Sequence, residues 1–152
     1  MPIKERINND LKSAMLSRDQ HTVSILRGLK SSILYVEVEK NKRTEGLTEE
    51  ETVSLLQKEA KKRQESADLY KQGGNLSKSE DELKEKAVIE GYLPRQISDD
   101  ELAAAVDEAA QEVGEFSRQN MGAIIGATKK IVGAAADGSR IASFVNRRIN
   151  SE

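Results

Sequence analysis

The chain has 152 residues, with 33% of them charged, 3% aromatic, no cysteine and a formal net charge of -2. That length suits one domain or two small ones, and abundant Ala, Leu, Glu, Lys and Gln without period-two β-branched runs points to an all-α protein and argues against a sheet. The missing cysteines exclude disulfide staples and a thiolate metal site, while the near-neutral charge argues against a strong, diffuse attraction to nucleic acid or anionic membrane.

Residues 1–7 alternate charged with apolar side chains, unlike the continuous apolar core of a signal peptide, and no later run approaches a bilayer span. The expectation is a soluble cytoplasmic protein with no membrane, metal or cofactor partner. The first predicted helix runs from about Pro2, suited to a first helical position, to Leu16, with Ile3, Ile7, Leu11, Ala14 and Met15 in one stripe. The second spans about Gln20 to Asn41. There Leu26, Leu29, Ile33 and Val36 keep heptad spacing, and Ile25, Leu34 and Val38 broaden the face toward more than one neighbour. Gly28 interrupts this helix at roughly 1 kcal/mol relative to alanine, which predicts close approach of another helix or a ligand, with close packing the simpler reading.

Thr48-Glu49-Glu50-Glu51 is a capping box opening a third helix that lasts to Gln72, where Gly73-Gly74-Asn75 stops it. Its seam is Val53, Leu56, Ala60, Arg63, Ala67 and Tyr70, so an arginine falls among core positions. A buried unpaired guanidinium is costly, so Arg63 is predicted to reach a carboxylate on a neighbouring helix, such as Glu37, or to pack under Tyr70. A fourth helix, from about Ser77 to Tyr92, offers Leu83, Ala87 and Val88 or Ile89 to the core.

Pro94 removes a backbone donor and restricts the residue before it, so the chain breaks there; Ser98 to Glu101 then reads as another capping box. This predicts an N-terminal four-helix domain over 1–93 and a C-terminal three-helix, tail-like domain over 94–152, with Tyr92 and Leu93 packing where they meet. In the fifth helix Leu102, Ala105, Val106, Ala109 and Val113 face inward, opposite Glu101, Glu108 and Glu112. The sixth starts at Asn120 as N-cap and carries Met121, Ile124, Ile125, Ile131 and Val132. Gly122, Gly126 and Gly133 share another face with Lys129, and the first two read as a small-residue stripe for close helix packing. The last runs from near Gly138 to Ile149, with Ile141, Phe144, Val145 and Ile149 inward.

Charge is polarised within the second half. Between Pro94 and Gln119, Arg95 and Arg118 stand against seven acidic residues, whereas Lys129, Lys130, Arg140, Arg147 and Arg148 follow against only Asp137 and Glu152. These five cations are candidate contacts for RNA phosphates; dipole complementation at helix ends and solubility are the competing reading. Lys58, Lys61, Lys62 and Arg63 are a secondary basic candidate, diluted by Glu59 and Glu65, for which ion pairing within the helix is the simpler account. Catalytic groups are not evident. His21 is the sole histidine, Gly73-Gly74 lacks the Lys-Ser/Thr of a phosphate loop, and Asp99 with Asp100 suits the positive end of a helix.

Lys58-Glu59-Ala60-Lys61-Lys62-Arg63-Gln64-Glu65-Ser66, then Tyr92-Leu93-Pro94 with Gln96-Ile97-Ser98, Asn120-Met121-Gly122 and Ala136-Asp137-Gly138 appear in that order. On these motifs the chain resembles the GatB/YqeY family over nearly its whole length. It departs at Asn120, where an aspartate is expected, and at Ile125, where a methionine is usual. The resemblance implies a stand-alone relative of the C-terminal helical and tail region of the B subunit of glutamine-dependent tRNA amidotransferase, a carbon-nitrogen ligase with glutamine as amido donor. In that family the tail holds tRNA while the chemistry occurs elsewhere. The expected function is therefore a non-catalytic, tRNA-binding accessory protein; the alternative is a helical adapter with a protein partner and no RNA. An enzyme in its own right ranks last.

Overall fold

The computed structural model describes residues 1–151. Among them the fold is all-α: α1 (Ile3–Leu16), α2 (Gln20–Glu39), α3 (Glu49–Gln72), α4 (Leu76–Glu90), α5 (Asp99–Val113), α6 (Met121–Val132) and α7 (Gly138–Ser151), with one short 3-10 turn at Gly133–Ala135. Contacts divide the chain into two compact units, one ending at Leu93 and the other starting at Pro94.

In the first unit α1 begins one residue later than expected, because Pro2 is its extended N-cap. The orphan amide of Ile3 finds its acceptor in another helix: Glu49, in the first turn of α3, takes it at 3.0 Å. Ile3, Ile7, Leu11 and Ala14 are buried, but Met15 is exposed at the edge of the stripe. Asp19 caps α2 by accepting from the Thr22 amide at 3.2 Å. Val23, Ile25, Leu26, Leu29 and Ile33 are buried there, together with the charged Glu37. The helix does touch α1, α3 and α4. Leu34 and Val38, expected to serve that contact, instead face solvent, since the buried arc of α2 stops short of them.

The Thr48 capping box is complete in both directions. α3 pairs with α4 as a long hairpin turned by Gly74 at φ 81, a left-handed conformation that favours glycine. Ser79 locks this pair, its hydroxyl donating to the Ala67 carbonyl at 2.8 Å in a buried position. α4 ends at Glu90 rather than Tyr92, and Leu83 and Ala87 are exposed while Ile89 is buried. Tyr92 belongs to the first unit's own core: its hydroxyl donates to Asp10 at 2.6 Å, and Arg6 sits 5.2 Å from its ring centre.

The second unit is built on Leu102, Val106, Ala109, Ala110, Ile124, Ala136, Ile141 and Val145. Ser98 caps α5 by accepting from the Glu101 amide at 3.1 Å, and the Glu101 carboxylate in turn accepts from the Ser98 hydroxyl at 3.3 Å and pairs with Arg95 at 3.1 Å. Asn120 does take the N-cap position of α6, but its side chain makes no capping hydrogen bond. It is helical in backbone, and its amide donates to the Glu115 carbonyl at 2.9 Å, in space left by the missing side chain of Gly114 at φ 135. In α6 Ile124 and Thr128 are the buried pair, Thr128 bonding back to the Ile124 carbonyl at 2.8 Å. Ile131, on the same stripe near the end of α6, is exposed.

Candidate nucleic-acid interface

The five cations of α6 and α7 meet different fates. Lys129 donates to the Ala136 carbonyl at 3.0 Å, which ties the end of α6 to the turn before α7. Arg140 reaches Asp99 at 2.9 Å, and Arg148 reaches Asp107 at the same 2.9 Å while lying 4.5 Å over the Phe116 ring. Lys130 and Arg147 are exposed, Arg147 standing 5.9 Å from the Phe144 ring. Their charge therefore remains on the surface, but two of the three arginines also hold α7 to α5. The partners advance in step, from Asp99 to Asp107 and from Arg140 to Arg148, so the two helices run parallel with α6 returning between them. That matching eight-residue spacing was present in the sequence, and it is the signal by which Asp99 and Asp107 could have been found as partners.

The two glycines of α6, and Gly133 just after it, line no helix contact. A side-chain carbon built at Gly122, Gly126 or Gly133 would meet nothing within 4 Å, so the close packing expected of Gly122 and Gly126 is absent. Instead they leave a low, open helix surface on the face they share with Lys129.

In the basic segment of α3 only Arg63 braces another helix. Lys58 and Lys61 are exposed, and Lys62 lies 3.6 Å from Glu59 one turn away. Arg63 crosses to α4, where Glu82 and Glu85 each approach its terminal nitrogen at 3.2 Å. Only the Glu85 contact is also a hydrogen bond, leaving Arg63 Nε and Glu82 Oε2 buried without one. Glu37 could not serve Arg63, because it is taken. Lys4 donates to it at 2.8 Å and the Leu47 amide at 3.1 Å. Its carboxyl is held below the ordinary value by the Lys4 hydrogen bond, against burial, with the Leu47 amide assisting. Gly28 and Arg63 line the same cavity, about 240 Å³ in volume, between α2, α3 and α4. Nothing lies within 4 Å of a side-chain carbon at Gly28, so it opens that cavity instead of admitting a close helix.

Several of the short motifs explain themselves by geometry. The Ile97 amide donates to the Ala135 carbonyl at 3.0 Å and the Gln96 side chain to the Ala134 carbonyl at 3.1 Å. Asp137 then caps α7 by accepting from the Arg140 amide at 2.7 Å. The segments Gln96-Ile97-Ser98 and Ala136-Asp137-Gly138 thus close the second unit at one end. His21 is exposed beside the α2 cap.

Among the described residues, no three His, Cys, Asp or Glu side chains are placed to hold a metal ion, and no helix is long and apolar enough to cross a membrane. Comparison with curated proteins gives no match. The family described as "YqeY: Yqey-like protein" matches residues 4–149. With its capped α3, its Tyr-Leu-Pro segment and its closed C-terminal unit all inside that match, the chain belongs to the YqeY-like family.

Proposed function

We propose that this chain is a non-catalytic cytoplasmic accessory protein that holds tRNA, and that its contact is phosphate binding along α6 and α7. The observation that carries this reading is the charge of that stretch: Lys129, Lys130, Arg140, Arg147 and Arg148 stand against Asp137 alone between residues 120 and 151. Lys130 and Arg147 are exposed, and the Gly122 and Gly126 face offers no side chain to keep a sugar-phosphate strand away from Lys129. The Arg140 and Arg148 pairs do not remove those arginines from use. Their partners Asp99 and Asp107 are 86% and 53% exposed, and a surface ion pair holds by only about 0–1 kcal/mol, so a phosphate can exchange for the carboxylate. Binding of this kind positions RNA without reading bases.

The tRNA identity rests on the GatB/YqeY resemblance, as does the relation to the amidotransferase B subunit. We read residues 1–93 and 94–152 as separate domains, with RNA held by the second. The test is binding of unfractionated tRNA over a salt series, with a variant carrying glutamine at Lys129, Lys130, Arg140, Arg147 and Arg148 alongside. Affinity should fall steeply with salt and largely vanish in the variant while its circular dichroism is unchanged. No binding at low salt sinks the reading.

A further inference from the structure

We propose that the groove between α1 and α2 is a docking site for an acidic amphipathic helix of a partner protein, independent of the RNA reading. The groove has a volume of about 330 Å³, with Ile7, Ile33 and Leu34 as apolar lining and Lys4, Asn8 and Lys30 as polar lining. It continues onto an apolar ridge of α2 that faces water: Leu34 is 44% exposed, Tyr35 71% and Val38 53%. Leu34 and Val38 are four residues apart and Tyr35 and Val38 three, so Val38 neighbours both and the three side chains form one ridge on the helix surface. Large side chains gathered on one face beside a groove mark a binding surface more than scattered ones do.

Charge selects the occupant. The groove's one carboxylate, Glu37, is 3% exposed and already held by Lys4 and the Leu47 amide. What the groove shows outward is positive: Lys30, with Arg27 one turn earlier on α2, both exposed and neither in an ion pair among the described residues. A second copy of the same face would bring these cations against each other. A helix with an apolar ridge flanked by glutamate or aspartate covers Leu34 and Val38 while pairing Arg27 and Lys30. The buried Asn8 Oδ1 has no hydrogen-bond partner and offers such a helix an acceptor at the groove wall.

The probe is a pair of synthetic helical peptides of roughly 16 residues with one leucine ridge, flanked by glutamates in one and by lysines in the other, titrated by fluorescence anisotropy. The glutamate peptide should bind about tenfold tighter than the lysine peptide. The double variant Arg27→Glu with Lys30→Glu should invert that preference, and Leu34→Ser with Val38→Ser should abolish binding of both, each variant keeping its helical signal because all four side chains are exposed. Equal binding of the two peptides, no binding of either, or binding unaffected by the variants overturns the proposal. So does a dimer in sedimentation velocity that the serine variant dissolves, which would make a second copy the occupant. A single-stranded RNA oligomer retained through Arg27 and Lys30 and indifferent to the serine changes would reassign the face to nucleic acid, and equally overturns it.

Discussion

In the first unit, part-buried charges tie helix to helix, Glu37 to Lys4 and Arg63 to Glu82 and Glu85, while Glu51 of α3 holds Lys40 and Lys42 of the segment that follows α2. In the second, an apolar plug from α5, α6 and α7 does the holding, and its ion pairs, Arg140 with Asp99 and Arg148 with Asp107, lie at the surface. The difference follows from composition. Long helices rich in Lys and Glu have too few apolar positions to meet on every side, so carboxylates and cations fill the remaining contacts, whereas the short Ala- and Ile-rich helices close around one core. One group of reporters separates the units cleanly. Tyr35, Tyr70 and Tyr92 all precede Pro94 and the chain has no tryptophan, so tyrosine fluorescence follows the first unit alone.

The hardest blow to the contrast is a cavity in the plug. Leu102→Ala, at a fully buried position, should cost the second unit about 2–5 kcal/mol, a large share of what a unit this small possesses. Circular dichroism should then show a low-temperature helical loss while the tyrosine melt stays in place; coincident melts would mean the two units are not energetically separate.

Acid should strike the other side. Glu51 is held down to about 2 by its hydrogen bonds with Lys42, the Thr48 amide and Lys40, and Glu37 is lowered as well. Since these folded-state values lie below the unfolded carboxyl value of about 4.3, their contribution is complete above that pH and is lost as pH falls from there toward about 2. The tyrosine-reported melting temperature should therefore drop across this window, and the drop should be shallower in Glu51→Gln. An unchanged slope in the variant would remove Glu51 from the account.

A smaller effect is expected at the end of the first unit. Tyr92→Phe keeps the ring under Arg6 but deletes the bond to Asp10, a loss of about 0.5–1.5 kcal/mol, measurable by urea unfolding followed through the remaining tyrosines. The smallest belongs to the surface pairs. Arg148→Gln should shift the second unit by about 0.2–1 kcal/mol, and less at high salt; a larger, salt-independent loss would assign Arg148 to packing on Phe116 rather than to charge.

Much of the fold could be read in advance where the signal is local. The Thr48 box, the Gly73-Gly74 stop and the stripes Ile3-Ile7-Leu11 and Leu102-Val106-Ala109 depend on neighbours within a turn or two, and the structure keeps them. The candidate site was legible only as an inventory of cations. Spacing along one helix could not tell that Arg140 and Arg148 lean on α5, that Arg63 turns to α4 and not to Glu37, or that Gly122 and Gly126 face open space. Asn120 starts α6 as expected but without a side-chain cap bond, because its amide turns to the Glu115 carbonyl five residues back.

By itself, then, the sequence determined seven helices, their punctuation, the all-α class and the kinship of the chain, since helix propensity, capping and turn chemistry act between residues a few positions apart. Tertiary structure alone decided which apolar side chains remain uncovered on α2 and α6, and which charges spend themselves on a neighbouring helix. Those outcomes depend on where other helices lie, and a helix's own periodicity marks a face without saying what will meet it.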